Sequence, residues 1–303
     1  MGRIDIDVLD RGGVDALLDR AAAEGWNPGV DDAAAFHAAD PEGFRALAVD
    51  GRFAAGISVV RQDATRGFLG LYIAAPEARG RGHGLALWRA ALGAAEARGI
   101  ESVGLDGVVE QQANYRRSGF AFAHRNLRFA GTPDPDGFAG DVPGVAIRAV
   151  SGDDLGAVTA LDAEIGGVPR ERFWRAWLAP APDSRLTLAA FPDGNGDGHD
   201  RQSHGDATRP VGVATIRRCR SGHKIGPLLA PHDGVARALV GAALDATGAS
   251  EIVLDVPEPN ARATALAAAL GLSPAFETAR MYRGPAPAID LGRLYGVATF
   301  ELG

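Results

Sequence analysis

Among 303 residues there is a single cysteine, Cys219. That excludes an internal disulfide framework and any multi-cysteine zinc site. No apolar run approaches the ~20 residues a membrane-spanning helix needs. The opening residues Met1-Gly2-Arg3-Ile4-Asp5-Ile6-Asp7 lack a basic stretch leading into an apolar one, so no secretory leader is expected. Lysine is nearly missing too, Lys224 being the only one, and arginines cluster in nothing larger than the group Arg217, Arg218 and Arg220. With a net charge of -7, the chain carries no footprint for a nucleic acid. These absences point to a soluble cytoplasmic protein with neither membrane nor nucleic-acid partner.

What is present is apolar residue in quantity, 46% of the chain, enough for two cores. The pattern runs twice. Phe44 to Asp50 and Arg52 to Val60 read as strands joined at the turn signal Asp50-Gly51. Gly67 to Ala75 is a third apolar run. A Gly/Arg-rich loop after Pro76 leads into a helical stretch, Leu85 to Arg98, with Leu85, Trp88 and Leu92 at helical spacing. Glu101 to Val109 returns to strand, Gln111 to Arg117 is a short helix, and Ala121 to Phe129 is a strand. Gly131 to Gly144, with Pro133, Pro135 and Pro143, marks a linker. A second pass follows: strand Val145–Val150, helix Asp153–Ile165, strands at Arg185–Phe191, Val211–Arg217 and Ile225–Ala230, helix Val235–Thr247, strand Glu251–Val256, helix Ala261–Leu270, strand Ala275–Arg283. The alternating tail Leu294–Leu302 reads as a further strand. Internal duplication is the sparest explanation, with domains expected at 1–135 and 143–303.

Arg79-Gly80-Arg81-Gly82-His83-Gly84 fits R-x-x-G-x-G. With 41 glycines in 303 residues the bare pattern is weak, and its context gives it weight. The loop follows an apolar strand and opens into an amphipathic helix. There, glycines let backbone N–H groups approach a pyrophosphate and the helix dipole favours its charge. Arg79 and Arg81 can add contacts at the rim. About thirty residues on, after a strand and at the end of a short helix, stands Tyr115-Arg116-Arg117-Ser118-Gly119-Phe120.

In these two elements, in this order and spacing, residues 1 to 130 resemble the GNAT superfamily of N-acetyltransferases. The strings Glu24-Gly25-Trp26-Asn27-Pro28-Gly29, Leu105-Asp106-Gly107-Val108 and Phe300-Glu301-Leu302-Gly303 resemble a bacterial subfamily with an added C-terminal GNAT-like domain. The resemblance implies an α/β (α+β) tandem fold, each domain a mixed, mostly antiparallel twisted sheet flanked by helices. It implies acetyl-CoA as co-substrate and no metal. Ile73 and Ala74 would pair their backbone with the pantetheine arm, Arg79, Gly80, Arg81, Gly82, His83 and Gly84 would cradle the pyrophosphate, and Asn114 joins the donor-binding set. Tyr115 would protonate the departing thiolate.

Acyl transfer to an amine needs a neutral nucleophile, a held oxyanion and a proton for sulfur. The phenol of Tyr115 suits the last, and a backbone N–H at the strand end, that of Ala74, suits the second. For the base, Asp106, Glu110 and Glu24 are candidates. Asp106 leads, because a carboxylate at an apolar strand end needs a reason to be there. Trp26 and Phe36, with Glu24, are expected to wall the acceptor pocket. Cys219 has no motif around it and reads as a small buried residue.

The second pass lacks the machinery. Pro76 to Glu101 is 25 positions and Pro231 to Glu251 only 20, the deficit falling where the phosphate loop would be. His232-Asp233-Gly234 stands in its place, and Ala267 stands where the first pass has Tyr115. This half is expected to form a wall of the acceptor site. Asp193-Gly194-Asn195-Gly196-Asp197-Gly198 imitates a calcium loop, but His204 stands where the bidentate Glu belongs, so no metal is expected there or with His199. The expected activity is acetyl transfer from acetyl-CoA to a primary amine of a small molecule or amino acid, in a ternary complex. A CoA-responsive binding protein, a protein lysine or N-terminal acetyltransferase, and a homodimer stay open.

Overall fold

A computed structural model describes residues 2–134, 137–138, 142–181, 183–193 and 208–303. The calcium-loop imitation after Asp193, with His199 and His204, lies outside the described residues. The first half runs β1 (Ile4–Val8), α1 (Arg11–Ala23), α2 (Asp32–Ala39), β2 (Phe44–Val49), β3 (Arg52–Arg61), β4 (Arg66–Ala74), α3 (His83–Ala97), β5 (Ser102–Val108), α4 (Gln112–Arg117) and β6 (Ala121–Gly131). The second runs β7 (Val145–Ala149), α5 (Leu155–Gly166), α6 (Glu171–Trp177), β8 (Arg185–Pro192), β9 (Gly212–Arg218), β10 (His223–Leu229), α7 (Asp233–Thr247), β11 (Ile252–Pro257), α8 (Ala261–Ala269), β12 (Ser273–Arg283) and β13 (Leu294–Gly296).

All the strands join one sheet, in the order β1-β2-β3-β4-β5-β12-β6-β11-β10-β9-β8-β7, with β13 beside β10. The two halves have exchanged their last long strands. β12 lies between β5 and β6, and β6 lies between β12 and β11. All these contacts are antiparallel, whereas β4–β5 and β10–β11 are parallel. Separate sheets were the natural expectation from two sequence passes, and the exchange fuses them.

The inward face at the exchange is polar. Arg280 of β12 stands opposite Asp106 of β5, and Arg128 of β6 opposite Asp255 of β11. Each pair makes two charge-assisted hydrogen bonds of 2.7 Å. Such bidentate geometry, with every charge matched, is what makes a buried ion pair tolerable. On the other face, α3 covers the first half and α7 with α8 the second.

A shared core ties the halves on the inward side. Phe36 of α2 stacks on Trp177 of α6 with ring centroids 6.4 Å apart, and Leu17, Ile165, Trp174, Phe300 and Leu302 belong to the same cluster. α1, α2 and α6, not marked out by the sequence pattern, thus supply the joint. The tail departs from its expected strand. Only Leu294–Gly296 is strand, and the chain then turns and packs on β4.

Candidate functional site: a gap between β4 and β5

β4 and β5 pair in parallel from Arg66↔Ser102 to Leu69↔Leu105, and there the ladder stops. The cause is local. Leu71 takes φ 48 and the β3–β4 register shifts at that point, a bulge that bends β4 away from its neighbour. Beyond it β4 stays bonded to β3 alone. Ala75 N–H bonds Ala54 O at 2.9 Å, so by the alternation of an antiparallel ladder Ile73 also faces β3 while Tyr72 and Ala74 turn their backbone groups into the gap.

This revises the expectation for Ile73, whose backbone is used by Gly56 and whose side chain is core. Ala74 turns its backbone toward the gap, and its carbonyl accepts from Arg79 Nε at 3.0 Å. Tyr72, which the sequence did not single out, is the second residue presenting backbone to the gap.

The loop after β4 turns through two left-handed glycines, Gly80 (φ 74) and Gly82 (φ 81), the latter capping α3. A Cβ on either would meet nothing within 4 Å, so these residues face open space where an anion can approach the exposed N–H groups of α3. Gly84 has a different reason: a Cβ there would come within 2.7 Å of Tyr72 Oη. Arg81 is exposed and His83 half-buried at the helix start.

A cleft of about 780 Å³ runs between α3 and α4, lined by Tyr72, Trp88, Arg89, Asn114, Tyr115 and Arg117 among others. That volume suits a large ligand. Tyr115 lies at its inner end, stacked on Trp88 with centroids 5.5 Å apart. Gly107 of β5 makes room for it, since a Cβ there would lie 2.5 Å from the Tyr115 ring. Burial pushes the phenol well above its usual range, so it stands protonated at neutral pH.

Two GNAT models match the chain: an acetyltransferase (GNAT) family over residues 13–120 and an acetyltransferase (GNAT) domain over 158–296. The chain is similar to the holothin acyltransferase of Pseudoalteromonas sp. (strain SANK 73390), 30% identical over 284 residues, spanning 93% of this chain and 89% of that one. The chain belongs to the GNAT family of acetyltransferases. A putative acetyltransferase from Pyrococcus horikoshii shares the fold at 18% identity, with a TM-score of 0.76 over 99% of this chain and 96% of its own. A tandem GNAT protein from the clavulanic acid biosynthesis pathway does so at 14% identity and 0.63, over 93% and 99%.

This protein is therefore an acyl-CoA-dependent N-acyltransferase with two GNAT domains in tandem, and its fold family uses acyl-CoA as co-substrate. Among the described residues no group of three or more His, Cys, Asp and Glu is arranged to hold a metal. Among them, too, no helix is long and apolar enough to cross a membrane.

Several expected site residues are placed otherwise. The Asp106 carboxylate is fully buried, bonded by both oxygens to Arg280 and by one to Asn126 Nδ2 at 2.8 Å. Its reason for standing in an apolar strand is that ion pair, and a carboxylate so engaged is not a free base. Phe36 is completely buried in the shared core and walls no pocket. Glu24 is exposed and ion-paired to Arg79 at the rim, and Glu110 is exposed at the end of β5.

Trp26 packs partly on the shared core, and its carbonyl accepts from Lys224 Nζ at 3.1 Å. Asn114 accepts from Arg117 and donates to Gln111 at 2.5 Å on the cleft rim. Cys219 is buried, its thiol pushed up by desolvation, which makes it a poor nucleophile.

The second half has a corresponding gap. β10 and β11 pair from His223↔Ile252 to Ile225↔Leu254 and then part. Here the opening is occupied. β13 pairs antiparallel with β10, and Val297 N–H bonds Asp255 O of β11 at 2.9 Å. At the start of α7, where the first half has its glycine loop, Asp233 accepts from the buried Tyr295 hydroxyl at 3.1 Å. The chain's own backbone thus fills the slot that the first half leaves open.

Proposed function

We propose that the enzyme transfers an acetyl group from acetyl-CoA to the primary amine of a small molecule by direct attack in a ternary complex, at the first half's gap. The observation carrying this reading is the 780 Å³ cleft between α3 and α4, lined by Tyr115 and by Tyr72 of the open β4–β5 gap, with the glycine loop at the start of the same α3. Gly80 to Gly84 hold the pyrophosphate and the Tyr72 and Ala74 backbone pairs with the pantetheine arm. An N–H of the same strand end faces the oxygen that becomes negative in the tetrahedral adduct. Tyr115 donates its proton toward the leaving sulfur. A thiol ionises near 8.5 and a phenol near 10, so full transfer from a phenol raised by burial is uphill. Tyr115 therefore acts chiefly as a hydrogen-bond donor to the developing thiolate.

The acceptor side is built by both halves. The α1–α2 loop is clasped by the β9–β10 turn: Val30 N–H bonds Arg218 O at 3.0 Å, Arg220 N–H bonds Pro28 O at 3.2 Å, and Asn27 exchanges bonds of 2.8 and 2.9 Å with Ser221. A loop pinned by the second half favours a confined small acceptor over an extended polypeptide. The similarity to a holothin acyltransferase supports acyl transfer as the reaction.

The test is release of free CoA from acetyl-CoA across a panel of small amines, in wild type and Tyr115→Phe. The reading expects turnover with at least one amine, and a kcat about 10²-fold lower in the variant with its acetyl-CoA-induced thermal shift intact. A wild type that binds acetyl-CoA and acylates none of the panel would sink it.

A further inference from the structure

Past β13 the tail crosses from the filled gap to the open one. Thr299 Oγ1 accepts from Glu301 N–H at 3.1 Å and Leu302 N–H at 2.8 Å, closing a turn, and Gln62 Nε2 of the first half donates to Leu302 O at 2.8 Å. This seats the Glu301 backbone directly on β4. A Cβ on Gly70 would lie 2.3 Å from Glu301 O and 2.8 Å from its Cα, so only glycine fits there. Gly70 immediately precedes Leu71, the bulge at which β4 leaves β5. Glu301 is thereby delivered to the inward side of the point where the gap begins.

The side chain is unusual for its position. Glu301 is 5% exposed, and among the described residues its carboxylate has no hydrogen bond and no ion pair. The charged groups facing it are engaged elsewhere. Arg128 is held by Asp255, and Arg217 lies 3.3 Å from Asp32 and donates to Ala298 O at 3.1 Å. Lys224 donates to Trp26 O at 3.1 Å. These cations act on Glu301 through space without touching it. Holding a carboxylate away from most solvent with no donor is costly, and an acceptor ammonium entering at the gap would supply the missing partner.

We propose that Glu301 is the catalytic base of the first half's site, receiving the acceptor's ammonium and taking its proton. This rests on the acyl-transfer reading above. One N–H proton passes to Glu301 Oε, and the freed lone pair forms the C–N bond at the thioester carbonyl. The C–S bond then breaks with its electron pair on sulfur. A second proton leaves the adduct nitrogen and arrives on the thiolate, which the Tyr115 hydroxyl holds by its hydrogen bond. The proton on Glu301 goes to solvent, so each turnover of an ammonium releases one proton. The second half thus contributes the base, carried on a tail that its own filled gap anchors.

The experiment compares full-length wild type, Glu301→Gln and Glu301→Asp at pH 7, each checked for an unchanged acetyl-CoA-induced thermal shift. Two classes of acceptor are assayed: alkylamines, protonated at that pH, and weakly basic arylamines, already neutral. Glu301→Gln is expected to lose about 10²-fold or more in kcat/KM on the alkylamine and less than about fivefold on the arylamine. The alkylamine deficit should shrink about tenfold per pH unit from 7 to 9 as free amine replaces ammonium, and Glu301→Asp should recover part of it. Equal losses on both acceptors, or no loss on either, overturn the assignment while leaving the transfer reading standing. A wild type that acylates neither class overturns both.

Discussion

Two pairs of parallel strands in this molecule part at their C-terminal ends, and only one of the openings is left for a ligand. At β4–β5 the bulge at Leu71 turns the Tyr72 and Ala74 backbone toward an empty gap, and the next loop presents bare helix N–H groups through Gly80 and Gly82. At β10–β11 the chain supplies the missing strand itself, and a tyrosine hydroxyl meets the start of the following helix. An unpaired backbone edge inside a protein must be satisfied by something. On the reading proposed above, the first half leaves that task to a co-substrate, whereas the second completes it in the fold. The strand that closes the second gap leads along the tail to Glu301, whose backbone lies against Gly70 where β4 parts from β5.

The largest effect that would sharpen this contrast is at the open loop. Gly82→Asp places a side chain at φ 81 and a negative charge where the phosphates approach, yet touches no core residue. Wild type at a hundredfold excess of acetyl-CoA over Kd should gain about 2.7 kcal/mol of stability. Titration calorimetry should give one donor per chain, and the variant should show neither heat nor thermal shift. Two donors per chain would mean that the second gap opens, and the contrast would fail.

Asp106 separates support from chemistry. Asp106→Ala leaves the Arg280 guanidinium buried without its partner, a loss on the order of 3–5 kcal/mol, readable by urea denaturation. The double change Asp106→Leu with Arg280→Met should recover most of that stability. It should also keep the pH dependence of kcat/KM, because the pair is structural. A double variant that folds but has lost the rate's dependence on amine protonation would return Asp106 to the role of base.

What the sequence could show follows from range. The glycine loop and Tyr115 are local signals, their residues close together along the chain, and both the family and its fold class were legible from them. So was the degeneracy of the second loop, from its shorter spacing. The exchange of β6 and β12 was not, because both strands carry the same alternation and either satisfies either partner. Asp106 misled for the same reason: its partner Arg280 is 174 residues away, and a carboxylate whose partner is distant looks free. Phe36, the one large apolar residue of α2, looked like a pocket wall and proved to be the stacking partner of Trp177. Glu301 stood out only within the terminal string Phe300-Glu301-Leu302-Gly303 of the subfamily resemblance, which gives it no role. Only the close approach at Gly70 shows where it is delivered, and a glycine inside an apolar strand was the one hint available.

The smallest effect tests the filled gap. Tyr295→Phe removes the hydroxyl that meets Asp233 at the start of α7 but keeps the buried ring. Loss of one such bond costs about 1 kcal/mol, a fall of about 2 °C in melting temperature for a chain of this size. If the hydroxyl only completes the scaffold, donor stoichiometry stays at one and kcat is unchanged, since β13 remains held by β10 and by the Val297 amide. If instead the variant binds a second acetyl-CoA, the tyrosine was all that kept a working slot shut. A fall in kcat without a change in stoichiometry would be more telling still. It would mean that the seat of β13 sets the position of Glu301 at the other gap, and that the two openings are coupled through the four residues between Gly296 and Glu301.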